Sequence, residues 1–199
     1  MCGRIMVLLI IIAIAVIAFV ALIIKSSDVQ TLSPEKVAGK RGEAAAANII
    51  RSVLRKGDLL LTNVEIDCDG KKTELDNVIV NKNGVFIIEV KNYSGSLVGC
   101  ESDFEWYKYH TSRGGNVYVK TVKNPIRQVK RQIYILAHYL EYFGIDVYVC
   151  GYAIFLNDNC PVSSPYVLSG INDIEVAIHS ARKQRLDAKT IRYINGILS

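Results

Sequence analysis

Three charged side chains interrupt two apolar runs. Asp76 lies within residues 75–80, Glu89 within residues 85–90, and Lys91 directly after them. Two carboxylates and an ammonium at the edge of an apolar sheet are costly unless they pair or bind something. Oxygen ligands of this kind suit a hard divalent ion such as Mg²⁺ or Mn²⁺. Such an ion polarises a phosphoryl oxygen and lowers the pKa of a bound water, which is the chemistry of phosphodiester hydrolysis. A neighbouring lysine can stabilise developing negative charge or help position the attacking water. A salt bridge between Lys91 and Glu89 or Asp76, with no metal, is the plainer alternative. From the residues alone both stay open.

The segment that positions them is TELDNVIVNKNGVFIIEVKN, residues 73–92, which reads as a β-hairpin turning at Asn81, Lys82, Asn83 and Gly84. Asn-Gly favours a two-residue hairpin loop because both positions need φ > 0. With Lys82-Asn83 as the loop, Asp76 faces Glu89; with Asn83-Gly84 as the loop, Asp76 faces Lys91. The two registers differ by two, so in either one Asp76, Glu89 and Lys91 share a face. Alternation extends that face to Val78, Val80, Val85 and Ile87. The other face carries Leu75, Ile79, Phe86, Ile88 and Val90. Apolar residues on both faces predict a sheet with helices packed over each side.

Residues 42–55 predict a helix, with Glu43, Ala46, Ala47, Ile50 and Leu54 on one stripe and Gly57 placed to end it. Glu43 starts the face that meets the sheet; a carboxylate favouring the positive helix N-terminus is the plainer reading. Residues 59–66 predict a strand and residues 67–70 its turn. Residues 97–100, the Trp106, Tyr107 and Tyr109 stretch, and residues 117–121 predict further strands, with a turn at residues 113–116. The aromatic cluster reads as sheet packing rather than a base-stacking platform. Asn124-Pro125 opens a helix that Gly144 ends. Its core stripe is Ile126, Val129, Ile133, Leu136, Ala137 and Leu140, and Gln128 and Gln132 lie near its start. Residues 147–156 predict a buried strand, residues 166–168 a short one, and residues 174–181 and 188–198 two closing helices.

Half of the 199 residues are hydrophobic, unevenly spread. Residues 6–24 form an unbroken apolar run without charge, long enough for a bilayer core. A cleaved signal peptide is the rival, with a shorter apolar region and a small-residue cleavage site. The expected organisation is a transmembrane anchor over 1–25, a linker over 26–40 and a domain over 41–199. Only Arg4 precedes the run, whereas Lys25, Lys36, Lys40 and Arg41 follow it, so the positive-inside rule puts the domain in the cytoplasm. Five cysteines without metal-site spacing are expected to be reduced thiols. The net charge of +5 permits an anionic partner.

The strings GEAAAANIIRSVL, TELDNVIVNKNGVFIIEVKNYSGSLVG and NPIRQVKRQIYIL resemble the nuclease-related domain (NERD) family of the PD-(D/E)xK nuclease-like superfamily. The resemblance spans residues 42–140. It implies an α/β fold, a mixed central sheet flanked by helices as in restriction endonucleases, here preceded by one transmembrane helix. It also implies metal-dependent cleavage of nucleic acid, DNA or RNA. By resemblance Asp76 and Glu89 are metal ligands, Lys91 is the catalytic lysine, Glu43 the early helix glutamate and a further metal ligand, and Gln128 a helix glutamine near the site. Asn77 stands where relatives often carry histidine, on the other face of the strand. Asn92 and Tyr93 read as structural. Lys120, Lys123, Arg127, Lys130 and Arg131 are candidates for a nucleic-acid groove. The expected function is a membrane-anchored Mg²⁺-dependent nuclease; the alternative is an inactive, membrane-tethered binding or scaffold module of the same fold.

Overall fold

The apolar hairpin lies at the middle of a five-stranded sheet. The computed structural model describes residues 34–112 and 114–199. Helix α1 (Pro34–Val53) leads into β1 (Leu59–Cys68), β2 (Lys71–Asn81) and β3 (Gly84–Lys91). A smaller sheet follows, from β4 (Ser96–Val98), β5 (Glu105–Thr111) and β6 (Val117–Lys123). Helix α2 (Pro125–Tyr142) returns the chain to the main sheet as β7 (Val149–Phe155) and β8 (Val167–Leu168). Helices α3 (Ile171–His179) and α4 (Ala188–Leu198) close the chain. The main sheet runs β1-β2-β3-β7-β8, antiparallel across β1, β2 and β3 and parallel across β3, β7 and β8. This is a mixed α/β fold with a central sheet flanked by helices.

Both sheet faces are covered, which explains the near-continuous apolar strands. On one side Val78, Val80, Val85 and Ile87 pack with Leu136 and Leu140 of α2 and Ile194 of α4. On the other, Ile79, Phe86 and Ile88 pack with Ala46 and Ile50 of α1 and Ile174 and Ile178 of α3. The hairpin loop is Lys82-Asn83, with Asn81 paired to Gly84. Of the two loops open from the sequence, Asn83-Gly84 is therefore not the one used; Gly84 opens β3 and takes the positive φ, +139°. Asn81 Oδ1 accepts from the Asn83 N–H, and both asparagine amides donate to the Ile178 carbonyl. These bonds reward a buried, non-glycine Asn83.

Other differences have local causes. Helix α1 starts at Pro34, ahead of the start at residue 42 expected from the sequence. Leu75, expected opposite Val78, packs in the same cluster as Val64, Val78 and Val80. The β1–β2 ladder skips the Asn63–Asp76 step, Asn63 has φ +55°, and alternation is reset there. Trp106 is buried and stacks with Phe155, as sheet packing predicts, but Tyr107 and Tyr109 are exposed. Cys68, Cys100, Cys150 and Cys160 are free thiols. The apolar run at 6–24 lies outside the described residues, among which no helix is long and apolar enough to cross a membrane.

Gly151 lets α2 approach β7. A Cβ there would stand 2.8 Å from side-chain atoms of Val129 and Ile133. Gly151→Ala is expected to destabilise the domain by about 1–3 kcal/mol through overpacking. A urea midpoint equal to that of the parent chain would show instead that the helix backs away freely.

Candidate active site

The charged cluster forms where β2 and β3 part. Their pairing runs from Asn81↔Gly84 to Asn77↔Ile88. One further step of that register faces Asp76 to Glu89, the first of the two registers open from the sequence. Beyond it β2 continues with β1 to Cys68↔Lys71, and β3 continues with β7 to Lys91↔Phe155. Backbone groups in the gap need partners. Asp76 Oδ2 provides one, accepting from the Val90 N–H at 2.7 Å.

Glu89 is only 2% exposed. Its Oε1 accepts from Lys91 Nζ and from Gln128 Nε2, each at 2.6 Å. Its Oε2 accepts from Gln132 Nε2 at 2.6 Å. Gln128 Oε1 accepts from Lys91 Nζ at 3.0 Å, so Glu89, Lys91 and Gln128 close a ring. Gln132 Nε2 also reaches the Glu74 carbonyl, at 3.1 Å. Both glutamines stand near the start of α2. Asn124 caps that helix by accepting from the Ile126 and Arg127 N–H groups, and Pro125 occupies its first turn.

The electrostatics follow from burial. Desolvation pushes the Asp76 carboxyl up to about 7, and the Glu89 charge pushes it the same way. The Val90 N–H and Lys91 oppose the rise, and Glu43 adds a smaller upward push. Burial is the largest influence and works to lower the Lys91 ammonium, but the charge and hydrogen bond of Glu89, with Tyr93 and Asp76, together outweigh it and the net shift is upward. Lys91 is therefore held as a cation and is a poor proton acceptor. Burial also raises the Tyr93 hydroxyl, against the pull of Lys91.

The donor set fits a divalent ion with few protein ligands. An ionised carboxylate offers about four lone-pair positions. Three on Glu89 are engaged, leaving one on Oε2. Among the described residues Asp76 accepts only the Val90 bond, which leaves its Oδ1 open. One or two carboxylates completed by water is how Mg²⁺ is commonly held. Among the described residues no three His, Cys, Asp or Glu side chains group closely enough to hold a metal. Glu43 rides on α1, which packs on the sheet face opposite α2, and its charge still reaches Asp76.

The family model of the nuclease-related domain matches residues 38–156. The chain belongs to the NERD family. NERD is part of the PD-(D/E)xK-like nuclease superfamily, and the domain is nuclease-like. An uncharacterized protein of Bacillus anthracis is 30% identical over 88 residues, 44% of this chain and 42% of that protein. The chain thus spans under half the length of this curated relative. No solved structure matches.

In this NERD domain Asp76, Glu89, Lys91 and Gln128 come together, with Glu43 at the margin. Gln132 was not singled out from the sequence, yet it is fully buried and holds the second Glu89 oxygen. Its Oε1 is buried without a partner, as is Asn77 Oδ1. The signal was present: Gln128, Gln132, Leu136 and Leu140 recur every fourth residue, so the glutamines extend a core row. Asn92 and Tyr93 have structural partners. Asn92 donates to the Ala38 carbonyl, and the Tyr93 carbonyl accepts from Asn157 and Asn159.

Because the Asp76 carboxyl is raised, the folded chain holds a proton that the unfolded chain has released between pH about 4 and about 7. The unfolded state binds fewer protons, so this group makes stability fall as pH rises through that window. The slope is at most about 1.4 kcal/mol per pH unit. In chelator, Asp76→Asn is expected to flatten that part of the stability curve. Parallel melting-temperature profiles for parent and variant would clear Asp76 of the effect.

Proposed function

We propose that this chain is a metal-dependent nuclease that hydrolyses phosphodiester bonds in DNA or RNA. The observation that carries the reading is the Asp76–Glu89 pair: two desolvated carboxylates on parting strands, beside a lysine held as a cation. Asp76 and Glu89 would hold Mg²⁺ or Mn²⁺. The ion, when bound, supplies Lewis acidity and a more acidic water. Lys91 offers its ammonium to the negative charge that builds on the phosphoryl group. Gln128 fixes Lys91 against Glu89, and Gln132 fixes the remaining Glu89 oxygen, so the ammonium and the carboxylates meet the substrate in set positions. Glu43 adds negative potential beside Asp76, which favours a cation there. The family's restriction-endonuclease-like topology and these residue roles belong to the same reading. So does anchoring by residues 6–24, with the domain on the cytoplasmic side.

One observation favours a second reading. Glu89 is already bound by three donors, the arrangement expected of a self-sufficient ion-pair network in a binding or scaffold module.

The two separate in one experiment. The full chain, purified in mild detergent, is incubated with single- and double-stranded DNA and RNA in Mg²⁺, Mn²⁺ or chelator. Cleavage that needs the metal and drops at least about 100-fold in Asp76→Asn, Glu89→Gln and Lys91→Ala is expected. Binding without cleavage under every condition would leave the scaffold reading standing.

A further inference from the structure

Phe104 stands out because it is exposed and rigidly held at once. The side chain is 76% exposed, although it is a large apolar ring. The loop that carries it is tightly fixed. Asn124, itself buried, donates through its amide to the carbonyls of Cys100, Glu101 and Asp103, at 3.3, 3.0 and 2.8 Å. Its backbone N–H donates to the Phe104 carbonyl at 3.1 Å. Trp106 Nε1 donates to the Cys100 carbonyl, and Asp103 Oδ2 accepts from the Cys100 N–H. A loop with this many bonds could turn its ring inward or carry a polar residue instead.

One face of the ring is backed by Arg127, whose guanidinium carbon lies 3.9 Å from the ring centroid. Arg127 also donates to the Ser102 carbonyl at 3.4 Å. Beside it a cavity of about 510 Å³ is lined by Glu101, Ser102, Arg127 and Lys130. Glu101 pairs with Lys130 at 2.7 Å, whereas among the described residues no carboxylate pairs with Arg127. The cavity therefore offers an uncompensated positive charge next to an open aromatic face. Arg127 directly precedes Gln128, which bonds both Glu89 and Lys91.

We propose that Phe104, backed by Arg127, is a stacking platform for an unpaired base, and that the strand bound beside the carboxylate site is single-stranded nucleic acid. This deepens the nuclease reading and rests on it for the choice of polymer. A ring held open to solvent can stack on a base only if that base exposes its own face, and in a duplex those faces are covered. Arg127 contributes both ways, polarised against the ring and available to a phosphate. Asn124 ties the Phe104 loop to the first turn of α2, which carries Arg127 and Gln128, so a base seated on Phe104 would fix the register of the neighbouring phosphodiester.

The test is fluorescence anisotropy on the full chain in mild detergent, with chelator present so that nothing is cut. Labelled single-stranded oligonucleotides are compared with the duplex of equal length. The single strand is expected to bind more tightly. Phe104→Ala is expected to weaken it by roughly 5- to 150-fold, the value of one stacked base. Phe104→Leu should lose as much, because it keeps apolar bulk without a π face, and Phe104→Trp should retain binding. Equal or tighter duplex binding, or single-strand affinity unmoved by Phe104→Ala, would overturn the proposal. Cleavage assays separate the two failures. Binding that depends on Phe104 without any cleavage counts against the nuclease reading alone, and cleavage with binding indifferent to Phe104 counts against the platform alone.

Discussion

Two carboxylates withdrawn from water a strand apart have to be balanced by something, and most of this domain's arrangement around them serves that need. Burial and the Glu89 charge both oppose ionisation of Asp76. The chain answers with one ammonium, two side-chain amides and one backbone N–H. Three of these four donors converge on Glu89, and Asp76 receives only the last. The imbalance is informative. Glu89 has three donors within the protein, whereas Asp76 keeps a raised carboxyl and, among the described residues, an open oxygen. A cation arriving at the site would find its strongest unmet demand at Asp76.

That asymmetry arises from backbone topology. While β2 and β3 remain paired, ladder bonds satisfy the main chain and alternating side chains fill two dry cores. The ladder stops one residue short of Asp76. From there β2 follows β1 and β3 follows β7, and a wedge opens that only polar side chains can line. On the other side of β2 the β1–β2 ladder also skips the Asp76 step, where Leu75 is reset to the Val78 side and Asn63 takes a positive φ. Pairing thus lapses on both sides of Asp76, at the site and at the local departure from alternation.

Much of this was legible in the sequence because it is periodic and local. Apolar alternation gave the hairpin, the Asn-Pro pair gave the start of α2, and charged residues in apolar strands gave Asp76, Glu89 and Lys91. What escaped depended on contacts between distant segments. Asn83-Gly84 is a good loop by itself, but Ile178 supplies a carbonyl that holds Asn81 and Asn83 and selects the loop one residue earlier. Gln132 looked like part of a polar helix start until α2 was laid over β3. That α1 and α2 cover opposite faces of the sheet could not be read from α1 alone. Tyr107 and Tyr109 carry strand-forming rings, but the small sheet leaves them uncovered.

The parallel pairing of β3 with β7 obliges the chain to leave the main sheet after Lys91 and come back. The β4–β6 sheet and α2 fill that excursion, and α2 brings Gln128 and Gln132 onto Glu89 from about 40 residues downstream. On the ribosome the hairpin therefore emerges with its acidic pair uncompensated by those amides. Only when the first turns of α2 have left the exit tunnel can the network close. Nascent chains stalled earlier would carry the motif without the pocket, so assembly of the site is a late event in the life of each new molecule.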